Sequence, residues 1–144
     1  MAEEITLREE RDHGRFTELY ASAGLEIEED WVRVCGAVMS VAAWRGRVLL
    51  GAATVSRRFD RLVLDYIAVL PGERNSGVGK LLVDRCLAYA KERGEGALWL
   101  AARTPGFFRA IGGVETGGET LLEECKGCED YKTACKPVEM LLNI

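Results

Sequence analysis

A turn rich in glycine and positive charge follows the most apolar segment of this chain. Residues 62–70 are apolar and β-branched, which predicts a strand that both faces of a sheet bury. A helix is predicted to begin at about Gly77, so the turn presents backbone N–H groups that have no partner inside the helix. Arg74 and Lys80 add positive charge on either side. Because Gly77 and Gly79 leave room for a close approach, the turn predicts a site for a phosphate or pyrophosphate group.

Two common nucleotide-binding motifs do not fit this turn. A P-loop anchored on Gly79 and Lys80 needs a glycine where Arg74 stands and a hydroxyl residue where Leu81 stands. A dinucleotide fingerprint needs a third glycine, and this sequence has Leu82 there. A glycine turn that only reverses the chain is the structural alternative. The strand, the charge and the helix register agree with the glycines, however, and together they favour a ligand site.

The segment from Arg74 to Gly79 resembles the R/Q-x-x-G-x-G/A signature of the GNAT superfamily of acyl-CoA-dependent N-acyltransferases. Residues 67–71 are similar to the fourth strand of that family, and Leu81 and Leu82 to its third helix. The resemblance implies an α/β (α+β) class and a single-domain GNAT-like fold over residues 1–144. It implies a mixed central sheet of about six to seven strands flanked by about four helices. Only the loop is specific, since the outer elements match in order and length alone.

The elements that must position this turn follow from hydrophobic periodicity. Besides the central segment, strands are predicted at residues 4–8, 38–43, 48–55, 97–101, 114–116 and 138–142. Helices are predicted at residues 11–23, from the acidic segment 26–31, at 77–94 and at 104–112. Residues 44–47 and 57–61 are predicted turns. The long helix places Val78, Leu82, Cys86 and Tyr89 on one apolar stripe, which predicts the face that packs on the sheet.

The resemblance implies acetyl-CoA, or a related acyl-CoA, as the acyl donor. Its pyrophosphate would lie on the backbone N–H groups of the turn, and its peptide-like pantetheine arm would pair with the central strand. That pairing requires the strand to diverge from its neighbour and leave backbone groups for the ligand. The residues expected to hold the cofactor are Ile67, Ala68, Val69, Arg74, Asn75, Ser76, Gly77, Val78, Gly79, Lys80 and Phe108.

The resemblance also implies that an acceptor amine attacks the thioester directly, without an acyl-enzyme. A backbone N–H near Val69 would polarise the carbonyl as the oxyanion develops. The amine must first lose a proton, so a base is required within reach of the site, directly or through water.

Asp65 is the candidate base, because a lone carboxylate in an apolar strand requires a partner, water or a functional role. By the two-residue period it shares a strand face with Val63, Ile67 and Val69. The structural alternative is an ion pair with Arg57 or Arg58 of a neighbouring strand. Tyr66 faces the other way and is the second catalytic candidate, although a core tyrosine is the commoner fate.

Phe108 departs from the family pattern. Many relatives have a tyrosine here that protonates the leaving CoA thiolate, and phenylalanine cannot donate a proton. Tyr131 or water is left as the replacement, and a thiolate with the pKa of a free thiol is a fair leaving group by itself. The catalytic candidates are therefore Asp65, Tyr66 and Tyr131. The missing tyrosine also favours the alternative function, a non-catalytic CoA-binding sensor or assembly module with the same fold.

Composition limits the partners and the location. The net charge of −4 and the lack of a basic stripe argue against a nucleic-acid partner. No apolar run reaches a membrane span and the first residues are not a signal peptide, so a cytoplasmic protein without a membrane partner is expected. The acceptor is expected to be a small-molecule amine or a protein amino group, and monomer and homodimer both stay open. The acidic runs 26–30 and 123–124 are expected to be solvated faces, which would favour a cationic amine if they flank the cleft.

Three cysteines, Cys125, Cys128 and Cys135, have a spacing similar to that of zinc ligands. Tetrahedral zinc requires four ligands, however, and only three are local. A reversible disulfide is the second alternative and is disfavoured in a reducing cytoplasm. Free thiols without a stoichiometric metal are the favoured interpretation. His13, the only histidine, is expected to be a solvated surface side chain.

Overall fold

The computed structural model describes residues 4–25, 27–73, 76–122 and 137–144, which form one mixed sheet with helices on both faces. The strands are β1 (Ile5–Glu10), β2 (Ala37–Arg45), β3 (Val48–Arg58), β4 (Arg61–Val69), β5 (Ala97–Ala102), β6 (Val114–Glu115) and β7 (Val138–Asn143). The α-helices are α1 (Thr17–Ser22), α2 (Trp31–Cys35), α3 (Val78–Glu92) and α4 (Pro105–Ala110). Single 3-10 turns at His13–Phe16 and Pro71–Glu73 lie before α1 and α3.

The seven strands are ordered β1-β2-β3-β4-β5-β7-β6. The first four form an antiparallel meander, β4 and β5 are parallel, and β7 lies antiparallel between β5 and β6. Parallel neighbours need a crossover, and α3 is that crossover between β4 and β5. The predicted α/β class with a mixed sheet is confirmed.

Each face of the sheet carries its own apolar cluster. The face under α3 packs the predicted helix stripe against the sheet, and Val78, Leu82 and Cys86 are fully buried there. The opposite face packs against α1 and α2 through aromatic side chains, with Phe16 and Tyr20 fully buried. The two clusters hold β4 from both sides, which fixes the strand that carries five of the predicted site residues, Asp65, Tyr66, Ile67, Ala68 and Val69.

Three predicted boundaries are wrong. The helix predicted over 11–23 is a 3-10 turn followed by the short α1, and Thr17 Oγ1 donates a hydrogen bond to Gly14 O over 2.8 Å within this turn. Gly14 is a poor helix former, which explains the interruption. The predicted turns 44–47 and 57–61 shrink to two residues each, because β2, β3 and β4 extend further than their apolar segments.

The turn between β3 and β4 carries backbone strain. Phe59 and Asp60 both have positive φ, 53° and 58°, a conformation for which two-residue hairpin loops favour Asn-Gly. We expect the double substitution Phe59→Asn and Asp60→Gly to raise the free energy of unfolding by about 1 kcal/mol. Phe59 is 53% exposed, so little packing is lost. Urea denaturation measures the change, and an unaltered midpoint would show that the turn is not strained.

Candidate functional site

A gap opens between β4 and β5. Among the described residues these strands pair at a single register position, Val63 with Trp99. Further along β4, Leu70 N donates to Leu50 O over 2.8 Å, so in the alternating antiparallel pattern Ile67 and Val69 direct their N–H and C=O groups away from β3. Those groups face the gap. β4 therefore diverges from β5 beside the predicted residues Ile67, Ala68 and Val69, as pairing with a peptide-like ligand requires.

A β-bulge lies in β4 at Asp65. Thr54 of β3 pairs with Tyr66 and the next residue, Val55, pairs with Leu64, so Asp65 is the extra residue. Bulges bend a strand and redirect its side chains, and they are frequent beside active sites. The bulge follows Val63, the residue of β4 that pairs with β5, and precedes the part of β4 that faces the gap.

The bulge overturns the predicted strand face of Asp65. Leu64 before the bulge and Ile67 and Val69 after it pack in the same cluster under α3, so the alternation shifts by one residue. Asp65 instead lies near the face of α2, close enough for its charge to help raise the pKa of Cys35. The prediction that Asp65 shares a face with Ile67 and Val69 is wrong, because an extra residue inverts the two-residue period.

Asp65 makes one of the two ion pairs that were the structural alternative to catalysis. Arg58 Nη2 lies 3.4 Å from Asp65 Oδ1, and the two side chains are 15% and 11% exposed. Arg57 instead binds Glu95, at 2.9 Å. Asp65 is thus a nearly buried carboxylate paired with an arginine, next to the point where the strands separate.

Tyr66 is enclosed by aromatic rings from both helices on its face. The ring of Tyr20 stacks on it with a centroid separation of 5.2 Å and an interplanar angle of 22°. Trp31 meets it edge-on at 4.9 Å. The two catalytic candidates Asp65 and Tyr66 therefore lie side by side at the bulge. Tyr131, the third, lies outside the described residues.

The turn before α3 has the geometry of an anion site. Gly77 caps the helix with φ of 86°, a conformation that side-chain-bearing residues rarely adopt, and its carbonyl accepts from Leu81 N over 3.1 Å. The N–H groups of Val78, Gly79 and Lys80 lie in the first helical turn, where a helix leaves donors unpaired. Ser76 Oγ donates to Glu73 O over 2.6 Å and closes the turn. Arg74 and Asn75 lie outside the described residues.

Acidic side chains near this turn are compensated. Arg45 donates to both carboxylate oxygens of Glu73, over 2.6 and 3.2 Å, and these bonds lower the pKa of Glu73. Lys80, predicted to add positive charge beside the turn, lies 2.9 Å from Asp84 one helical turn away. Because Arg45 compensates the charge of the Glu73 carboxylate, this carboxylate repels an anion at the turn less strongly.

The short helix α4 flanks the same turn. A Cβ added at Gly79 would lie 3.2 Å from Phe107 Cζ, a tight contact that would press that ring away by a few tenths of an ångström. Phe107 is 40% exposed, and it contacts Phe108 edge-on at 5.0 Å. Phe108 is only 6% exposed and belongs to the cluster under α3. The position at which the resemblance implies a tyrosine is here part of the apolar core.

His13 corrects a prediction. It is partly buried rather than solvated, and its Nδ1 lies 2.7 Å from Ser40 Oγ. Burial lowers the pKa of His13 below the ordinary 6.5, and the nearby Asp12 carboxylate opposes the shift.

The lowered pKa makes stability depend on pH. The unfolded chain protonates His13 below about pH 6.5, whereas the folded chain resists protonation, so stability falls as the pH falls through 6.5. The loss levels off below the lowered folded pKa. His13→Gln keeps a polar group that does not titrate, and we expect a flatter profile of unfolding free energy between about pH 5 and 7. Identical profiles of unfolding free energy against pH for the wild-type protein and His13→Gln would contradict a lowered pKa of His13.

The cysteines divide into two groups. Cys35 and Cys86 are buried free thiols, and burial raises the pKa of Cys86 to about 12. Cys125, Cys128 and Cys135 lie outside the described residues. Within the described ranges no three His, Cys, Asp or Glu side chains cluster as metal ligands would. None of the helices in the same ranges combines the length and apolar character of a bilayer-spanning segment.

Several residues of the site were missed from the sequence. Arg45 was assigned to a hairpin turn, and nothing local indicates its pairing with Glu73. Gly51 was taken as a strand residue, although a glycine in an apolar strand can mark a close backbone approach. Here a Cβ would lie 2.7 Å from Ala68 O of β4. Tyr20 was recognised only as an apolar helix position.

Known proteins are similar to this chain in sequence. The sequence pattern described as the Acetyltransferase (GNAT) family matches residues 5–112. An uncharacterised N-acetyltransferase of Chlorobaculum tepidum is 26% identical over 133 residues, which cover 88% of this chain and 85% of that protein.

Solved structures of acetyltransferases are similar to this chain. The crystal structure of nourseothricin acetyltransferase superposes with a TM-score of 0.60 and 26% identity over 73% of this chain. The match spans 64% of that protein, less than two thirds of its length. An acetyltransferase of Bacillus subtilis, solved in complex with CoA, superposes with a TM-score of 0.75 over 98% of this chain and 99% of that one. Its 16% identity supports the fold alone.

Proposed function

Since this chain belongs to the acetyltransferase (GNAT) family, we propose that it transfers the acetyl group of acetyl-CoA to the nitrogen of an amine acceptor. The chain is an acyltransferase, as its family and its acetyltransferase relatives indicate. The observation that carries the finer proposal is the gap between β4 and β5. It opens after Val63, presents the backbone of Ile67 and Val69, and leads to the N-terminus of α3.

The cofactor fits this gap by its chemistry. Pantetheine carries two amides, and the edge of β4 offers N–H and C=O groups at Ile67 and Val69 with which amides pair. The pyrophosphate is an anion, and the turn before α3 offers N–H donors and the positive end of a 15-residue helix. Arg74, Asn75, Ser76 and Lys80 would complete this cradle. A CoA complex of a protein with the same fold supports the assignment.

The reaction needs few groups. The acceptor nitrogen attacks the thioester carbonyl, a C–N bond forms, and the oxyanion is stabilised by a backbone N–H near Val69 that the pantetheine amides do not use. Collapse breaks the C–S bond and releases CoA thiolate. Before the attack, Asp65, directly or through water, accepts a proton from the cationic amine, because a protonated nitrogen has no lone pair. The nitrogen loses its second proton to solvent as the amide forms. Phe108 has no proton for the thiolate, so Tyr66, Tyr131 or water supplies it, and CoA leaves as the thiol.

The acceptor is proposed to be a cationic amine, either a small molecule or a protein amino group. Glu28, Glu29 and Asp30, before α2, are exposed on the side of the sheet where Tyr66 lies, and their charge would attract a cation. The relative that acetylates nourseothricin suggests one small-molecule candidate. The cytoplasm, where acetyl-CoA is made and used, is the proposed location.

Turnover tests the proposal. The protein is incubated with acetyl-CoA labelled in the acetyl group and with spermidine, lysine, a peptide with a free N-terminus, or nourseothricin in turn. With one of these amines we expect acetyl-CoA to release CoA thiol, and we expect that amine to gain one labelled acetyl group per thiol released. Binding of acetyl-CoA without thiol release for any amine would instead favour a CoA-binding module without catalysis.

A further inference from the structure

Four polar side chains form a continuous hydrogen-bonded chain through the face of the sheet that α1 and α2 cover. His13 Nδ1 lies 2.7 Å from Ser40 Oγ, Ser40 Oγ lies 2.8 Å from Thr54 Oγ1, and Thr54 Oγ1 lies 2.8 Å from Tyr20 Oη. Ser40, Thr54 and Tyr20 are all fully buried. The chain thus runs from a partly exposed histidine into the interior without a break.

The chain follows one row of the sheet toward the candidate site. Ser40 of β2 pairs in register with Thr54 of β3, and Thr54 pairs with Tyr66 of β4. Hydroxyls in this row are costly to bury unless they are hydrogen-bonded, because the side chains packed around them are mainly apolar and aromatic. Buried polar networks that are fully satisfied fix one arrangement of their members. The hydrogen-bonded row therefore fixes the position of Tyr20, the group at its inner end.

Tyr20 contacts Tyr66 directly and thereby limits where the Tyr66 ring can lie. Their rings are stacked at 5.2 Å, and Trp31 meets Tyr20 edge-on at 5.7 Å and Tyr66 at 4.9 Å. Trp31 is itself held, since its Nε1 donates to Thr17 Oγ1 over 2.8 Å. Tyr66 is next to the bulged Asp65, so a shift of the Tyr20 ring would displace the side chains at the reaction centre.

We propose that Tyr20 is a positioning residue for Tyr66, and that the chain through Thr54 and Ser40 to His13 holds it in place. The catalytic consequence rests on the function proposed above. Each hydroxyl is satisfied when Tyr20 donates to Thr54, Thr54 to Ser40, and Ser40 to Nδ1 of neutral His13. Removing the Thr54 hydroxyl leaves the buried Tyr20 hydroxyl without its acceptor, and the ring must then move or accept that cost. Removing the Ser40 hydroxyl leaves Thr54 without its acceptor, so Thr54 must rearrange its hydrogen bond to Tyr20.

The positioning is tested without any acceptor by NMR of protein carrying ring-labelled tyrosine. The chain has four tyrosines, and Tyr66→Phe assigns the Tyr66 signal. The test variants are Thr54→Val and Ser40→Ala. Ser56→Ala is the matched control, because Ser56 is a fully buried hydroxyl on the same strand that donates to Cys35 instead. We expect Thr54→Val and Ser40→Ala to move the Tyr66 ring signal and Ser56→Ala to leave it in place. Equal Tyr66 signals in the three folded variants would overturn the proposal.

Kinetics provide the second readout, with the amine found to be acetylated. Tyr20→Phe keeps the ring and removes the hydroxyl, and we expect kcat to fall about 10-fold with an unchanged KM for acetyl-CoA. Thr54→Val should have the same effect, and the double variant should be no worse than either, because both break one chain. Ser56→Ala should retain wild-type kcat.

The outcomes separate the two proposals. Wild-type protein that turns over no amine would contradict the proposed function, while the NMR comparison would still decide the role of Tyr20. Active protein whose Tyr20→Phe and Thr54→Val variants match Ser56→Ala in kcat would overturn the positioning role alone.

Discussion

Gly77→Val is expected to weaken acetyl-CoA binding by about 100-fold or more, which corresponds to roughly 2.8 kcal/mol. Gly77 has φ of 86°, which a β-branched residue cannot adopt without strain. The backbone must rotate to accept valine, and the N–H groups at the start of α3 then no longer converge on one anion. Gly79→Val should act in the same direction, since its Cβ would lie 3.2 Å from Phe107 Cζ. Calorimetric titration with acetyl-CoA measures the loss.

Gly94 provides a matched control at the other end of the same helix. Its φ is 77°, and at both Gly77 and Gly94 an added Cβ would meet no atom within 4 Å. Gly94→Val therefore strains the fold in the same way as Gly77→Val without touching the turn. We expect Gly94→Val to lose stability and keep its affinity for acetyl-CoA. An equal loss of affinity in both variants would trace the effect to folding, and an unchanged affinity in folded Gly77→Val would refute the cofactor site.

Asp65→Asn is expected to lower kcat by roughly 100-fold or more and to remove one ionisation from the pH–rate profile. The amide keeps the size of the side chain and cannot accept a proton. Asp65 is not expected to contact the cofactor, so affinity for acetyl-CoA should be retained. Steady-state rates across pH, together with calorimetry on the same protein, measure both quantities.

Arg58→Gln distinguishes a base from a structural ion pair. It breaks the 3.4 Å contact with Asp65 but leaves the carboxylate in place. If Asp65 is the base, the variant keeps the ionisation that Asp65→Asn loses. If the ion pair alone matters, the two variants lower kcat equally and neither alters the profile, and Asp65 is then structural.

The central strand, the turn and the long helix could be predicted from the sequence because their signals are local. The apolar run of β4, the glycines before α3 and the stripe of Val78, Leu82 and Cys86 each lie within one segment. The mixed sheet was implied by the resemblance of the turn to the GNAT signature, and the order of such segments agreed with it. Boundaries were less accurate where strands continue through polar residues into two-residue turns.

Features that depend on pairing between distant segments could not be predicted. The bulge at Asp65 exists only in the register of β4 against β3, and it inverted the predicted face of the strand. Arg45 meets Glu73 across 28 residues of sequence, and His13 meets Ser40 across 27. Each pair joins side chains that, in sequence, have the pattern of exposed polar residues. Only the fold shows that they lie together.

The most direct test is a crystal structure of the protein grown with CoA. We expect density for the pyrophosphate within hydrogen-bond distance of the N–H groups from Gly77 to Lys80. We also expect pantetheine to lie in the gap between β4 and β5, with its amides paired to Ile67 and Val69. CoA bound elsewhere on the chain, with β4 and β5 closed on each other, would contradict the proposed cofactor site.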